Sequence, residues 1–301
     1  MDARQLRYFL AVVDHEGFNR AAEHLLIAQP SLSQTIKALE REIGVPLFHR
    51  IGRRALLSEA GRELVGPARL VLRDLEAAED AMAALRGVRR GRLELVAMPS
   101  PAVEPLTTLV ANFTAAHPHV LVSTAAAFTA AEVIAAVHSG NSEIGLLGTD
   151  KPIAVPNVDV LPLERQPMVL VVNPQQDEFD GKQSITGEEL DGQRIVISQR
   201  GSLMRAQVDE LLARGVGLVI AAEAAHRSSL LPLVLAGVGH AVLPQAWAPM
   251  ARHAGLHVVQ LLPAVELHIA LISRRSGLTP AAQAFLEVAS RYAATRNDVD
   301  R

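Results

Sequence analysis

Apolar and polar positions divide the chain into three regions with different periods. Over residues 4–14, Leu6, Phe9, Leu10 and Val13 recur at helical spacing, which predicts a helix with one buried face. The stretch FNRAAEHLLIAQPSLSQTIKAL (18–39) predicts two short helices around an apolar bend at Leu26, Ile27 and Ala28. The first covers 18–25. The second starts at Gln29 with Pro30 in its first turn, where a missing N–H has no helical partner to lose. Ala21, Ala22 and Leu25 are expected to pack on Leu32, Ile36 and Leu39, leaving Pro30, Ser31, Ser33, Gln34 and Lys37 outward. A helix with a small, polar outer face fits a DNA major groove, and its amide, hydroxyl and ammonium heads bond base edges and phosphates. An ordinary surface helical hairpin has the same pattern. Residues 44–57 (GVPLFHRIGRRALL) then predict two short strands joined by the basic turn Ile51-Gly52-Arg53-Arg54. Three helices followed by an arginine-tipped hairpin make a winged helix-turn-helix whose wing arginines lie along phosphates or a minor groove. Taken alone, an exposed Arg-Arg pair reads as a solvated turn.

The second region, 59–86, predicts one long helix with Ser58 as its N-cap. Leu57, Leu64, Val71, Ala78 and Leu85 fall seven apart, and Gly61, Ala68, Leu75 and Met82 fall four after the first four of them. Charges such as Arg62, Glu63, Arg69, Arg73, Asp74 and Glu76 flank this stripe, leaving a single apolar seam. That is the signature of a dimerising coiled-coil helix; the alternative is a helix lying on its own domain's core. Pro67 predicts a mild kink. Residues 87–91 (GVRRG) break the helix as a hinge.

Beyond the hinge, strands and helices alternate. Strands are expected at 92–98, 120–126, 143–147, 158–161, 168–172, 194–198, 217–221, 239–243, 258–262 and 267–273, and helices at 103–117, 130–138, 204–215, 225–236 and 279–296. The alternation implies parallel sheets covered on both faces. This length suits two small α/β lobes better than one sheet, with crossings near 163–166 and 263–266, where proline-bearing loops are expected to interrupt the strands.

Composition narrows the chemistry. With 301 residues the chain is long enough for several buried cores. It has no cysteine, which removes disulfides, thiolate metal sites and thiol redox chemistry. The net charge of −3 is unevenly spread: residues 1–58 sum to +2, so the remainder sums to −5. A small basic face on an acidic body suits a protein whose minor part touches phosphate. The opening MDARQLRYFLAVV is too short and too charged for a signal peptide, and no run of about 18 uncharged apolar residues exists, so the cytoplasm is the expected location.

Enzyme motifs fail on spacing. In Gly140-Asn141-Ser142-Glu143-Ile144-Gly145 the second glycine is one residue too far for a nucleophile elbow. Gly215-Val216-Gly217 and Gly237-Val238-Gly239 lack the third glycine of a dinucleotide loop. His117 and His119 flank a proline without a nearby third metal ligand, and Asn19 stands where a zinc-hydrolase motif beginning at His15-Glu16 needs histidine. No enzyme activity and no metal site are expected.

The sequence resembles the LysR-type transcriptional regulators along its full length, most strongly between Leu6 and Gly61. The residues that carry the resemblance include Leu6-Arg7-Tyr8-Phe9, Phe18, Arg20-Ala21-Ala22, Leu25, Gln29-Pro30-Ser31-Leu32-Ser33, Ile36, Leu39-Glu40, Gly44, Leu47-Phe48, Arg50, Arg53 and Ala60-Gly61. The resemblance implies a winged helix-turn-helix (1–58), a linker helix and hinge (59–90), and a two-lobed α/β regulatory domain like periplasmic binding proteins (91–301). Lobe I would hold about 91–163 and 267–301, and lobe II 164–266. Gly17 departs from the serine usual at the second helix's N-cap, so that helix should start less firmly.

The resemblance further implies a homodimer or homotetramer on inverted-repeat promoter DNA, modulated by a small-molecule effector between the lobes, with no cofactor beyond that co-inducer. It marks Gln29, Pro30, Ser33 and Gln34 as base readers and Ser31, Lys37, Arg50, Arg53 and Arg54 as phosphate contacts, with Phe18, Asn19 and Arg20 beside them. A neutral amide at Gln34 favours adenine over guanine. Strand-end loops carry the expected effector site: Ser100 and Pro101, Phe128 and Thr129, and Gln199, Arg200, Gly201 and Ser202, with Arg200 able to pair a carboxylate. Serine and threonine before helices are also ordinary N-caps.

Overall fold

The computed structural model describes residues 1–51, 54–85, 91–176, 179 and 181–297. Helix α1 (Ala3–Asp14) opens with a capping box: the Asp2 carboxylate accepts from Gln5 N–H at 2.8 Å, and the Gln5 side-chain oxygen accepts from Asp2 N–H at 2.8 Å. Helices α2 (Phe18–His24) and α3 (Gln29–Ile43) follow, with Pro30 in the first turn of α3 and left-handed Gly44 ending it. Leu6, Phe9, Leu10, Ala21, Ala22, Leu32, Ile36 and Leu39 form one buried cluster, as their spacing predicts. Strands β1 (Phe48–Ile51) and β2 (Arg54–Leu57) pair antiparallel as the wing. The Glu40 carboxylate accepts from the Leu47 and Phe48 N–H groups at 2.8 and 3.2 Å, anchoring the wing's base to α3.

Helix α4 (Glu59–Leu85) is capped by Ser58, whose Oγ accepts from Gly61 N–H at 2.9 Å, and it runs unbroken through Pro67. Its apolar stripe divides. Leu57, Gly61, Leu64 and Ala68 face the helix-turn-helix core, together with Leu72, which lies off the stripe. A Cβ on Gly61 would collide with the Leu47 carbonyl, so glycine is what lets α4 lie against the wing's base. Val71, Leu75 and Met82 remain exposed at 50%, 37% and 56%. The expected seam is thus own-domain core in its first half and an open apolar stripe in its second.

The regulatory part contains β3 (Gly91–Ala97), α5 (Pro99–Val103), α6 (Leu106–Ala116), β4 (Val120–Ala126), α7 (Ala130–His138), β5 (Ile144–Thr149), β6 (Val158–Val172), β7 (Ser184–Thr186), β8 (Arg194–Ser198), α8 (Leu203–Ala213), β9 (Val219–Ala224), α9 (Leu230–Leu235), β10 (Ala241–Pro244), α10 (Ala248–His253), β11 (His257–Leu262), β12 (Glu266–Arg274) and α11 (Pro280–Asn297). The main sheet runs β4-β3-β5-β12-β6-β11-β7, with β10 also on β6, and β8 pairs β9 separately.

Three expectations need correction. The sheets are mixed: β4, β3 and β5 are parallel, but β12 runs antiparallel to β5 and to β6, and β10 and β11 run antiparallel to β6. Alternating strands and helices carry no direction, so the returning strand could not be recognised as antiparallel. The first crossing is no loop, because β6 continues through 163–166 and joins both halves. Its register against β12 steps from Pro162↔Ala270 to Glu164↔Ile269, leaving Leu163 as a bulge, one of the places a strand tolerates nearby proline. The helix expected over 103–117 begins only at Leu106, as α6, because Pro105 holds Glu104 extended, and the short α5 ahead of it is an element the spacing does not predict. Strand β7 and helix α10 were not expected.

Helix α4 also docks on the regulatory sheet. The Arg73 guanidinium donates to the Gly140 and Asn141 carbonyls and pairs with Glu94, while Asp74 lies 3.6 Å from Arg274. Beneath this contact Glu143 is 1% exposed and accepts from Thr279 N–H at 2.7 Å and Thr279 Oγ1 at 3.0 Å. Burial pushes its carboxyl above the usual range, against the Thr279 hydrogen bonds. Ser142 is buried beside it, so the serine of the failed elbow motif belongs to this packing. Among the described residues no helix is long and apolar enough to cross a membrane.

Candidate functional site: a DNA-reading face and an interlobe cleft

On α3, Pro30, Ser31, Gln34 and Lys37 are exposed, while Gln29 and Ser33 are partly buried. The outward set follows from helical geometry: Leu32, Ile36 and Leu39 face the core, so the residues between them point away. On α2, Asn19 and Arg20 are exposed, and the Arg20 guanidinium donates to the Glu16 carbonyl at 3.0 Å and its carboxylate at 3.3 Å. Phe18 is partly buried with its ring 5.5 Å from that of Phe48, so it packs the wing against α2. Arg50 and Arg54 sit in the wing strands; Arg53 lies outside the described residues. An open groove beside α3 brings Arg4 and Arg41 next to Gln34 and Lys37. Arg4 comes from a different helix, α1, whereas Arg41 lies on α3 itself, one turn beyond Lys37, where helical spacing alone places it on the same side. At the bend, Leu26 holds φ +55 and is 92% exposed, an unusual conformation for a branched apolar residue.

The second site is a cavity of 540 Å³ between the halves of the regulatory part. It opens at the carboxyl ends of the parallel strands: Met98, Ser100 and Pro101 follow β3, Thr149 and Asp150 end β5, residues 200–206 follow β8, and Arg227 follows β9. Met168 and Leu267, from the crossing strands, form part of its wall. Of the expected residues, Ser100, Pro101, Arg200, Gly201 and Ser202 line it. Phe128, Thr129 and Gln199 do not. Thr129 caps α7, its Oγ1 accepting from Glu132 N–H at 3.2 Å, and the loop after edge strand β4 reaches the cavity only at Ala130.

Polar groups in the cleft differ in what already occupies them. Ser202 caps α8, accepting from Arg205 N–H at 3.2 Å, and its hydroxyl lies 2.7 Å from that of Ser198. Arg205 is bound by Asp209 at 2.7 Å and Glu223 at 2.9 Å, which raise its pKa further. Arg200 is exposed at the rim. Ser100 is 2% exposed, and its Oγ accepts from the Arg227 guanidinium at 3.3 Å. Burial lowers the Arg227 pKa from its usual value, yet guanidinium stays charged at any ordinary pH. Arg227 escaped the sequence reading because its stretch was expected to be an ordinary helix, 225–236, whereas residues Arg227–Ser229 form a 3₁₀ turn ahead of α9.

Comparison with known proteins agrees with this two-part architecture. Residues 3–62 match the family described as bacterial regulatory helix-turn-helix protein, lysR family, and residues 86–294 match the LysR substrate binding domain. The HTH-type transcriptional regulator IlvR of Caulobacter vibrioides is 30% identical over 292 residues, covering 96% of this chain and 97% of that protein. Full-length CbnR complexed with its target DNA superposes with a TM-score of 0.70 at 25% identity, covering 97% of this chain and 100% of that one. Full-length OxyR from Pseudomonas aeruginosa has a TM-score of 0.73 at 22% identity, covering 97% and 94%, a likeness of fold. With both parts matched and a relative of this identity along nearly its whole length, the chain belongs to the LysR family of DNA-binding bacterial transcriptional regulators.

Proposed function

We propose that this regulator reads an inverted-repeat promoter site through α3 and that a small molecule in the interlobe cleft changes how it sits there. The observation that carries the reading is the exposed polar face of α3, Pro30, Ser31, Gln34 and Lys37, standing beside the arginine-bearing wing. Gln34 and the first turn of α3 are the base readers; Ser31, Lys37 and the wing arginines hold phosphates. The relative solved with target DNA supports this use of the helix-turn-helix. The open stripe Val71, Leu75 and Met82 supports pairing of two α4 helices, which delivers two reading helices to one repeat as a homodimer or, by further pairing, a homotetramer. The contacts of Arg73 and Asp74 with the regulatory sheet supply a physical link from cleft to linker helix. The protein works in the cytoplasm by binding rather than turnover, with no cofactor beyond the co-inducer.

Footprinting of the protein on the intergenic DNA beside its own gene tests this. A protected inverted repeat, one helical turn between half-sites, is expected. Protection without sequence preference would sink it.

A further inference from the structure

The cleft holds three arginines and two aspartates, and they are not equivalent. Arg205 is neutralised by Asp209 and Glu223, Arg200 is exposed at the rim, and Asp150 is exposed. Arg227 is partly buried, and among the described residues no carboxylate lies within ion-pair distance of it. Its one hydrogen bond in the cleft goes to a neutral hydroxyl, Ser100 Oγ. A buried cation without a counter-charge is unfavourable unless a ligand supplies one. The surrounding wall is apolar and deformable: Met98, Pro101, Met168, Met204, Pro244 and Leu267.

We propose that the effector is a small carboxylic acid with an apolar body, its carboxylate paired with Arg227 beside Ser100 and its body against the methionines; this rests on the cleft being the effector site. A planar carboxylate matches the guanidinium fork. Inside the cleft Arg227 is the partly buried guanidinium without a carboxylate partner among the described residues, Arg200 being exposed at the rim, and one such cation suits a single negative charge better than a phosphate dianion. The cavity of 540 Å³ is within the usual range for small-molecule sites. Ser100 then orients the guanidinium rather than serving as the principal ligand.

The test is thermal shift and titration calorimetry on the full-length protein with benzoate, phenylacetate and 3-methylbutanoate, each against its primary amide. At least one acid is expected to raise Tm while its amide does not. Arg227→Gln should weaken binding of that acid about 10-fold or more, Arg227→Lys should restore part of it, and Arg200→Gln should change it less than about 3-fold. Amides as effective as acids, unchanged affinity in Arg227→Gln, or no response to any acid would overturn the proposal. Ala206→Trp, on an exposed position of α8 at the cavity, separates this failure from failure of the cleft reading. Amides that bind the wild type but not Ala206→Trp leave the cleft reading standing and remove only the anion. Acids that bind Ala206→Trp undiminished remove both.

Discussion

The DNA-reading face takes its polar groups from neighbouring turns of one helix, α3, over a core built from α1–α4 and the base of the wing. The cleft takes its groups from strand ends scattered between Met98 and Leu267, over two further clusters that share no residue with the first. On α3 the 3.6-residue period decides what faces outward. In the cleft, the order of strands in a sheet decides it. The first kind of site is local and follows from periodicity; the second exists only when the whole sheet has closed.

The largest effect expected from this contrast follows Ile36→Ala. Ile36 is fully buried in the helix-turn-helix cluster, so the change should remove about 2–5 kcal/mol from that unit. Calorimetry should show the N-terminal transition falling while the regulatory transition stays in place. Both moving together would show that the docking through Arg73 makes the chain one cooperative unit. Next comes division of labour on α3. Gln34→Ala should lose about 1–3 kcal/mol on the specific site and little on unrelated DNA. Lys37→Ala should weaken all DNA alike and lower the salt slope by about one. Equal loss on all sequences for Gln34→Ala would erase the distinction between reader and anchor.

Glu143 sharpens the contrast from the regulatory side, where a buried carboxyl depends on the closed sheet. Its folded pKa lies above the ordinary value of 4.5, so the folded state holds the proton more tightly. The contribution of Glu143 to stability is therefore fully present below that value and is lost as pH rises from it through the raised one. Glu143→Gln removes this slope, so the variant should gain on the wild type over that window; parallel Tm curves against pH would refute it. The smallest effect is Leu26→Asn at the α2–α3 bend. Asparagine tolerates positive φ better than leucine, and the exposed side chain gives up little burial, so a gain of about 0.5–1 kcal/mol is expected. A loss in urea unfolding would mean that Leu26 has a partner.

The cleft was legible only in part. Ser100, Pro101, Arg200, Gly201 and Ser202 were found because strand-to-helix junctions in α/β lobes are visible as breaks in pattern. Thr129 was placed there by the same rule and is instead a cap, because that rule does not say how far a strand lies from the sheet's centre. Arg227 has no local signal. It matters because Ser100, 127 positions away, is within hydrogen-bond reach and because Asp209 and Glu223 are committed to Arg205. The stripe on α4 shows the same limit: heptad spacing marked Gly61, Ala68, Leu75 and Met82 alike, but the wing and α1 cover only the first two.

Sequence alone determined the helix-turn-helix, its outward face, the long helix, the α/β character of the remainder and the family, because these depend on periods of a few residues and on one dense motif. Tertiary structure decided the mixed sheet, the unbroken crossing through Leu163, the split of the α4 stripe and which arginine of the cleft is partly buried without a counter-charge. Strand direction, burial and charge pairing are properties of contacts between distant segments, and no short window of residues contains both members of such a contact.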